Sequence, residues 1–448
     1  MVNNGNLTEG SVGKRLLMLT LPLVLGTFSS VMFNFVDTYF VAKIGTRELA
    51  AMSFTFPVIM VLIGVAIGLG TGAGAVISIT IGEGNMPKVR RLTTDILILA
   101  FVVSFFISVI GILTINPLFR LLGASADIIS LIRQYMVYLY AGILFMIVPI
   151  VCNNTMRASG DTFYPSLMMM VAAGINVLLD PILIFGLGGF PKLGLAGAAI
   201  STVIARFTTF VCVLYIIHYK EKMIDFSIPS LSDVFESWRK ILYIGIPSTA
   251  TNMLIPFSMG VVTHVAARFG MEAVAAMGAG IRIEAVALIV IMALRMSLVP
   301  FVGQNWGAKR YDRVNLAHKY SSAFSVVWGI VTVVLFFVFA VRIGHIFSKD
   351  TLVISKIVKY LWIVPAGYGL QGISMITTTI FNSINMPVLS ALLNLIRMFC
   401  LYIPLAYLGS MVFGLDGVFI GITIANVFAG ILSLFLIKEK FSPVAIKS

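Results

Sequence analysis

The sequence predicts an all-α polytopic membrane protein of twelve transmembrane helices, built as two six-helix lobes related by pseudo-two-fold symmetry. Three observations carry that prediction. Of 448 residues, 59% are hydrophobic and only 11% charged, with mean hydropathy +1.03, whereas soluble domains carry about 25% charged residues. Apolar runs long enough to cross a hydrocarbon layer of about 30 Å recur along the whole chain. The second half of the chain also repeats the first.

Sliding the second half back by 225 positions sets Lys14-Arg15 against Arg239-Lys240, Pro22 against Pro247, Gly45 against Gly270, Ala50-Ala51-Met52 against Ala275-Ala276-Met277, and Gly82 against Gly307. Later the offset becomes 220, and Gly194, Leu195 and Gly197 meet Gly414, Leu415 and Gly417. Six spans per repeat give the two halves the same orientation, as in transporters whose lobes are related by an axis along the membrane normal. The expected division is an N-terminal lobe at 1–217, a cytoplasmic connection at 218–239 and a C-terminal lobe at 240–448.

The spans are punctuated by Gly, Pro and charge. In the first lobe they are 16–41, 49–80, 92–116, 129–156, 163–185 and 194–217. Span one, LLMLTLPLVLGTFSSVMFNFVDTYFVA from Leu16 to Ala42, contains Pro22 and a carboxylate, Asp37, well inside. It is too long for a signal-peptide core and is expected to be a genuine first helix. Span two holds a glycine-rich run, GVAIGLGTGAGA at 64–75. Lacking the GKS/T ending of a phosphate loop and lying inside a span, this run is expected to serve close helix packing or a hinge. Span four ends with Asn153-Asn154, span five carries Asn176 and Asp180 followed by Pro181, and span six contains Ala198, Ser201 and Thr202.

In the second lobe the spans are 240–266, 277–302, 316–341, 355–381, 387–409 and 414–437. His264 near the end of span seven reads as interfacial. Arg282 and Glu284 in span eight are two apart and so lie on different helix faces, where a structural ion pair and a substrate role are equally open. Arg206, Arg295 and Arg397 are expected to snorkel or pair.

The net charge of +13 would point to nucleic acid in a soluble chain. Here the basic residues sit mainly between spans, with roughly twice as many Lys and Arg on one side as on the other, which places both termini in the cytoplasm. Cys152, Cys212 and Cys400 are far apart in apolar runs and suggest packing rather than disulfides or metal ligation. With no Walker, GxSxG or HExxH motif, an enzyme and an ATP-driven pump are both disfavoured, and transport must draw on an ion gradient. No cofactor, resident metal or nucleic-acid partner is expected.

Asp37 is the residue to explain. A charged group at the centre of a transmembrane helix costs about 2.5–3.5 kcal/mol on insertion scales, so it faces protein or water and marks a functional site by default. Asn176 and Asp180, one turn apart on a single face, give a second carboxylate and an amide, and Pro181 frees a backbone carbonyl nearby. Two carboxylates in a low-dielectric site cannot both stay ionised cheaply, so they suit proton exchange; their oxygens, with those of Asn176 and Thr202, would equally suit Na⁺. The repeat acts as a control. Asp37, Asn176 and Asp180 align with Val262, Ile396 and Cys400, so the second lobe keeps the scaffold without these groups. A polar network that staples helices is the plain alternative for Asn176 or Thr202, but a staple rarely needs a carboxylate.

Taken together, Pro22 and Asp37 of span one, Asn176-xxx-Asp180-Pro181, GLAGAAISTV in span six and VGQNWGAKR after span eight resemble the multidrug and toxic compound extrusion (MATE) family over nearly the whole chain. The absence of acids from 240–266 and 355–381 resembles its DinF branch, whose acidic site lies in the N-terminal lobe. The resemblance implies export of cationic, amphipathic drugs and dyes from a bacterial or archaeal inner membrane, by a monomer, in exchange for H⁺ or Na⁺. It implies that Asp37 is the coupling residue, that Asn176, Asp180, Ala198 and Thr202, with Asn153 or Asn154, shape the site around it, and that span one bends at Pro22. A site short of carboxylates beyond two favours H⁺. Lipid-precursor flipping ranks behind, because relatives with that activity have a basic cleft.

Overall fold

The structure, a computed structural model, describes residues 7–227 and 230–440, and these are helical almost throughout. Contacts divide the chain into two compact units, one formed by Leu21–Thr249 and the other by Leu7–Thr20 with the residues from Ala250 onward. The N-terminal half folds as α1 (Val12–Ala42), α2 (Thr46–Gly82), α3 (Met86–Leu121), α4 (Ala126–Ala141), α5 (Leu144–Ala158), α6 (Phe163–Phe185) and α7 (Leu195–Tyr215). The C-terminal half folds as α8 (Leu231–Ala267), α9 (Met271–Ala287), α10 (Ile289–Gly307), α11 (Tyr311–Phe347), α12 (Thr351–Ile363), α13 (Tyr368–Ser383), α14 (Pro387–Leu395) and α15 (Ile403–Lys440).

Among the described residues, nine helical runs are long and apolar enough to cross a membrane, and α4 with α5, bent by 46° at their break, make a tenth. Two more spans come from breaks in the second half. Helices α12 and α13 join through a 3-10 turn at Val364–Gly367. The run Pro387–Lys440 divides where Phe413 (φ −123°, ψ 15°) and Gly414 (φ 60°, ψ −137°) leave helical geometry. The expected twelve spans are thus present, but spans four, eight, ten and eleven are interrupted. Apolarity shows that a segment crosses; it does not show where backbone hydrogen bonding breaks.

The duplication is visible in helix boundaries. Starts at Thr46, Met86 and Ala126 recur 225 positions on at Met271, Tyr311 and Thr351, and the ends at Gly82 and Ala158 recur at Gly307 and Ser383. Even the interruption recurs, at Gly142 between α4 and α5 and at Gly367 between α12 and α13. The caps do not recur: Asn85 accepts from the Lys88 amide at 3.1 Å at the start of α3 and Asp350 from the Leu352 amide at 2.8 Å at the start of α12, whereas their counterparts α11 and α4 carry no side-chain cap.

The glycine-rich run of α2 lets two backbones meet. A Cβ at Gly72 would strike the Ile241 carbonyl of α8, and one at Gly68 would lie 2.6 Å from the Gly245 carbonyl. This is the small-residue packing that brings helices together where lipid removes the hydrophobic drive. The connection expected at 218–239 is only partly a connection, since α8 begins at Leu231. The rest is tied to α3 by the Asp225 amide, which donates to Thr94 Oγ1 at 2.9 Å, and the first turns of α8 add the Trp238 indole, which donates to the Asp95 carbonyl at 2.9 Å.

In the second unit, Leu7, Val12, Leu16 and Leu19 pack with Leu298 and Phe301. Arg313 fixes this N-terminal stretch through the Gly10 (2.7 Å), Leu7 (3.1 Å) and Glu9 (3.2 Å) carbonyls and through Asn305 Oδ1 (2.8 Å).

Candidate ion-coupling site

In the first unit α6 and α7 pack along their length, and a Cβ at Gly197 of α7 would meet the Leu183 carbonyl of α6. That close approach brings the polar groups of both helices together. Asn176 Nδ2 donates to Asp180 Oδ1 at 3.1 Å and lies 3.3 Å from both Ser201 Oγ and Thr202 Oγ1. The Ser201 hydroxyl is shared between Asp180 Oδ1 and the Ala198 carbonyl, the latter at 2.9 Å. Asn176, Asp180 and Ser201 are fully buried, and Asp37 of α1 is 8% exposed. The Asp37 and Asp180 carboxylates interact electrostatically.

Acceptors outnumber donors here. Asp37 Oδ1, Asp180 Oδ2 and Asn176 Oδ1 are all buried without a hydrogen-bond partner. A buried unpaired oxygen costs free energy of about 1–3 kcal/mol, more when it bears charge. Two of them belong to side chains hydrogen-bonded to each other on α6 and the third to the carboxylate that interacts electrostatically with Asp180, and a proton or a hard cation would satisfy such oxygens. The residues present therefore fit either ion, although among the described residues no three His, Cys, Asp or Glu side chains gather as a metal cluster.

The remaining expected residues take different places. Ala198 contributes its carbonyl rather than its methyl. Asn154 turns back to its own helix, donating to the Ile150 carbonyl at 2.8 Å and lying against Gly70 of α2, while Asn153 keeps a buried, unpartnered Oδ1. Pro22 sits inside α1, which runs as one helix from Val12 to Ala42. Arg206 lies with its guanidinium 5.7 Å from the centre of the Phe33 ring. In the second unit, Arg282 is exposed and Glu284 buried, as residues on different faces should be.

One residue escaped the motif-based reading. Tyr135 of α4 is buried, and its phenol interacts electrostatically with both Asp37 and Asp180. The signal that finds it is the repeat: 225 positions later stands Tyr360, buried as well, whose hydroxyl donates to Glu284 at 3.1 Å. Each half holds a tyrosine at the same place beside a buried carboxylate.

Comparison with known proteins agrees with this architecture. The MatE family pattern matches the chain twice, over residues 22–182 and 247–408. A FAD transporter of Shewanella oneidensis is 36% identical over 444 residues, covering 99% of this chain and 98% of that protein. The multidrug export protein MepA of Staphylococcus haemolyticus is 25% identical over 433 residues, covering 96% and 94%. Among solved structures, the Vibrio cholerae MATE transporter VcmN in its bent form superposes with a TM-score of 0.91 at 29% identity, over 96% of this chain and 97% of that one. A MOP superfamily transporter of Pyrococcus furiosus, described as having a binding pocket of reverse polarity, superposes with a TM-score of 0.92 at 25% identity, over 100% and 99%.

Proposed function

Since the chain belongs to the MatE family of multi-pass membrane transporters, and is not an enzyme, we propose that it is a secondary active exporter whose coupling ion binds at Asp37 and Asp180. The single observation that carries this reading is the set of three buried, unpartnered oxygens on Asp37, Asp180 and Asn176. H⁺ is the favoured ion, because two carboxylates that interact electrostatically share a proton more readily than they jointly hold a bare charge. Na⁺ is the alternative, with Asp37, Asn176, Asp180 and Thr202 as ligands.

In the cycle proposed, deprotonated Asp37 favours the substrate-loaded state. Protonation from the outer side removes that charge, α1 bends at Pro22 and the substrate leaves outward. The coupling is a difference in affinity between two states, as alternating access requires. The acids lie in the N-terminal half and the spanning parts of α8, α12 and α13 hold none, which supports placement in the DinF branch. The distribution of Lys and Arg supports an inner-membrane orientation with cytoplasmic termini, and a complete set of spans in one chain supports function as a monomer.

Two substrate classes are carried forward. Cationic amphipathic drugs suit an acidic site and the multidrug relatives. A flavin-bearing dinucleotide is favoured by the FAD transporter, whose 36% identity exceeds the 25% of MepA.

The test is transport of ethidium and of FAD in proteoliposomes under separately imposed ΔpH and Na⁺ gradients, for wild type and Asp37→Asn. Transport driven by ΔpH and abolished in the variant is the expected result. Full transport by Asp37→Asn overturns the coupling assignment, and transport driven only by Na⁺ makes the cluster a cation site.

A further inference from the structure

The second unit buries a polar cluster that the coupling cycle does not use. Glu284 of α9 accepts from Gln371 Nε2 of α13 at 2.9 Å and from Tyr360 of α12 at 3.1 Å, and Asn426 Nδ2 of α15 donates to Gln371 Oε1 at 3.2 Å. Its carboxylate is thus satisfied by neutral donors. Close by stand two guanidinium groups. Arg397 is 5% exposed, and its Nε is buried without a partner. It interacts electrostatically with Glu284 and with Arg295 of α10. Arg295 donates from Nε to Thr379 Oγ1 at 2.9 Å. Among the described residues neither arginine makes an ion pair.

Arg397 is carried on a π-helical turn, Ile396–Tyr402, between α14 and α15, and such turns concentrate at functional sites. Its position is informative within the repeat. Ile396 and Cys400 are the counterparts of Asn176 and Asp180, so this lobe places a guanidinium beside the position where the other places its amide and carboxylate. Two arginines against one carboxylate leave a positive charge uncompensated at membrane depth. That is costly unless an anion is taken up. A planar guanidinium fork, moreover, is shaped for the paired oxygens of phosphate or carboxylate.

We propose that Arg295 and Arg397 form an oxyanion subsite that binds the phosphate of an exported aromatic compound. The proposal rests on the export reading above and specifies its substrate class: the first lobe carries the coupling ion, and the second selects an anionic cargo. A lipid headgroup presents the same oxyanion, so the test must separate the two sources.

The experiment is equilibrium binding to the purified full chain in neutral detergent, read by flavin fluorescence, with riboflavin and FMN as probes. These share one ring system and differ by a phosphate. Wild type should bind FMN roughly tenfold more tightly than riboflavin. Arg397→Gln and Arg295→Gln should each collapse that preference and leave riboflavin unchanged, while Arg397→Lys, which keeps the charge but loses the fork, should fall between. Asp37→Asn should keep the preference even where it abolishes transport, so failure of the coupling site and failure of this subsite give different results. Equal binding of the two flavins by wild type overturns the proposal without recourse to any variant. So does an FMN preference that survives both glutamine substitutions. Arginine-dependent binding of phosphatidylglycerol in nanodiscs, with no FMN preference, reassigns the pair to lipid and overturns the substrate assignment.

Discussion

Ser201 of α7 and Asn176 of α6 both donate to one oxygen of Asp180, Oδ1, and leave its other oxygen, Oδ2, buried without a partner. One half of the carboxylate is therefore held and the other half is left open for an ion. Replacing Ser201 by Ala should remove a donor to a charged group, at a cost of about 1.5–3 kcal/mol. The expected outcome in proteoliposomes is a shift of the pH or Na⁺ dependence of transport with the fold retained. An unchanged ion dependence would show that Ser201 only staples the two helices.

The contact of α2 with α8 depends on the absence of a side chain. Gly72→Ala should drive a methyl into the Ile241 carbonyl and lower stability by about 1–3 kcal/mol. Gly174→Ala in α6, where a Cβ meets nothing within 4 Å, should be neutral or slightly stabilising. Thermal unfolding in detergent compares the two directly.

Arg313 holds the N-terminal stretch by three hydrogen bonds and Asn305 of α10 by a fourth, a set that a lysine ammonium cannot reproduce in one plane. Arg313→Lys should weaken this attachment by roughly 3 kcal/mol, giving about a hundredfold faster exchange. The reporter is the Leu7 amide, which donates to Gln304 Oε1 at 3.1 Å.

Beyond the end of the sixth span, burial and then the neighbouring Asp161 raise the pKa of Glu221 above its ordinary value of 4.5, against a lowering hydrogen bond from Ser159 at 3.1 Å. A carboxyl whose pKa is higher folded than unfolded binds more protons in the native state. Its contribution is full below about 4.5 and is lost as pH rises through the folded value. Glu221→Gln should remove that loss, flattening the pH profile of unfolding just above 4.5 and raising stability at neutral pH; an unchanged profile would count against it.

The sequence alone determined the membrane class, the duplicated architecture and the polar residues Asp37, Asn176 and Asp180, because hydropathy, repeat spacing and the cost of a carboxylate in lipid are all local or periodic properties. The glycine run of α2 was legible for the same reason, since small residues at helical spacing act through the backbone. Tertiary structure decided the rest. Nothing in the spacing of Asn153 and Asn154 says that Asn154 turns to its own helix, and nothing in the apolarity of spans four and ten says that each breaks at a glycine. That Ser201 shares a carboxylate oxygen with Asn176, that Tyr135 addresses both acids, and that Glu284 is satisfied by Tyr360 and Gln371 while Arg397 is not paired, are relations among residues up to 113 positions apart. Hydrogen bonds and charge pairs form only where packed helices bring such groups within about 3 Å. The order of residues along the chain does not contain that distance.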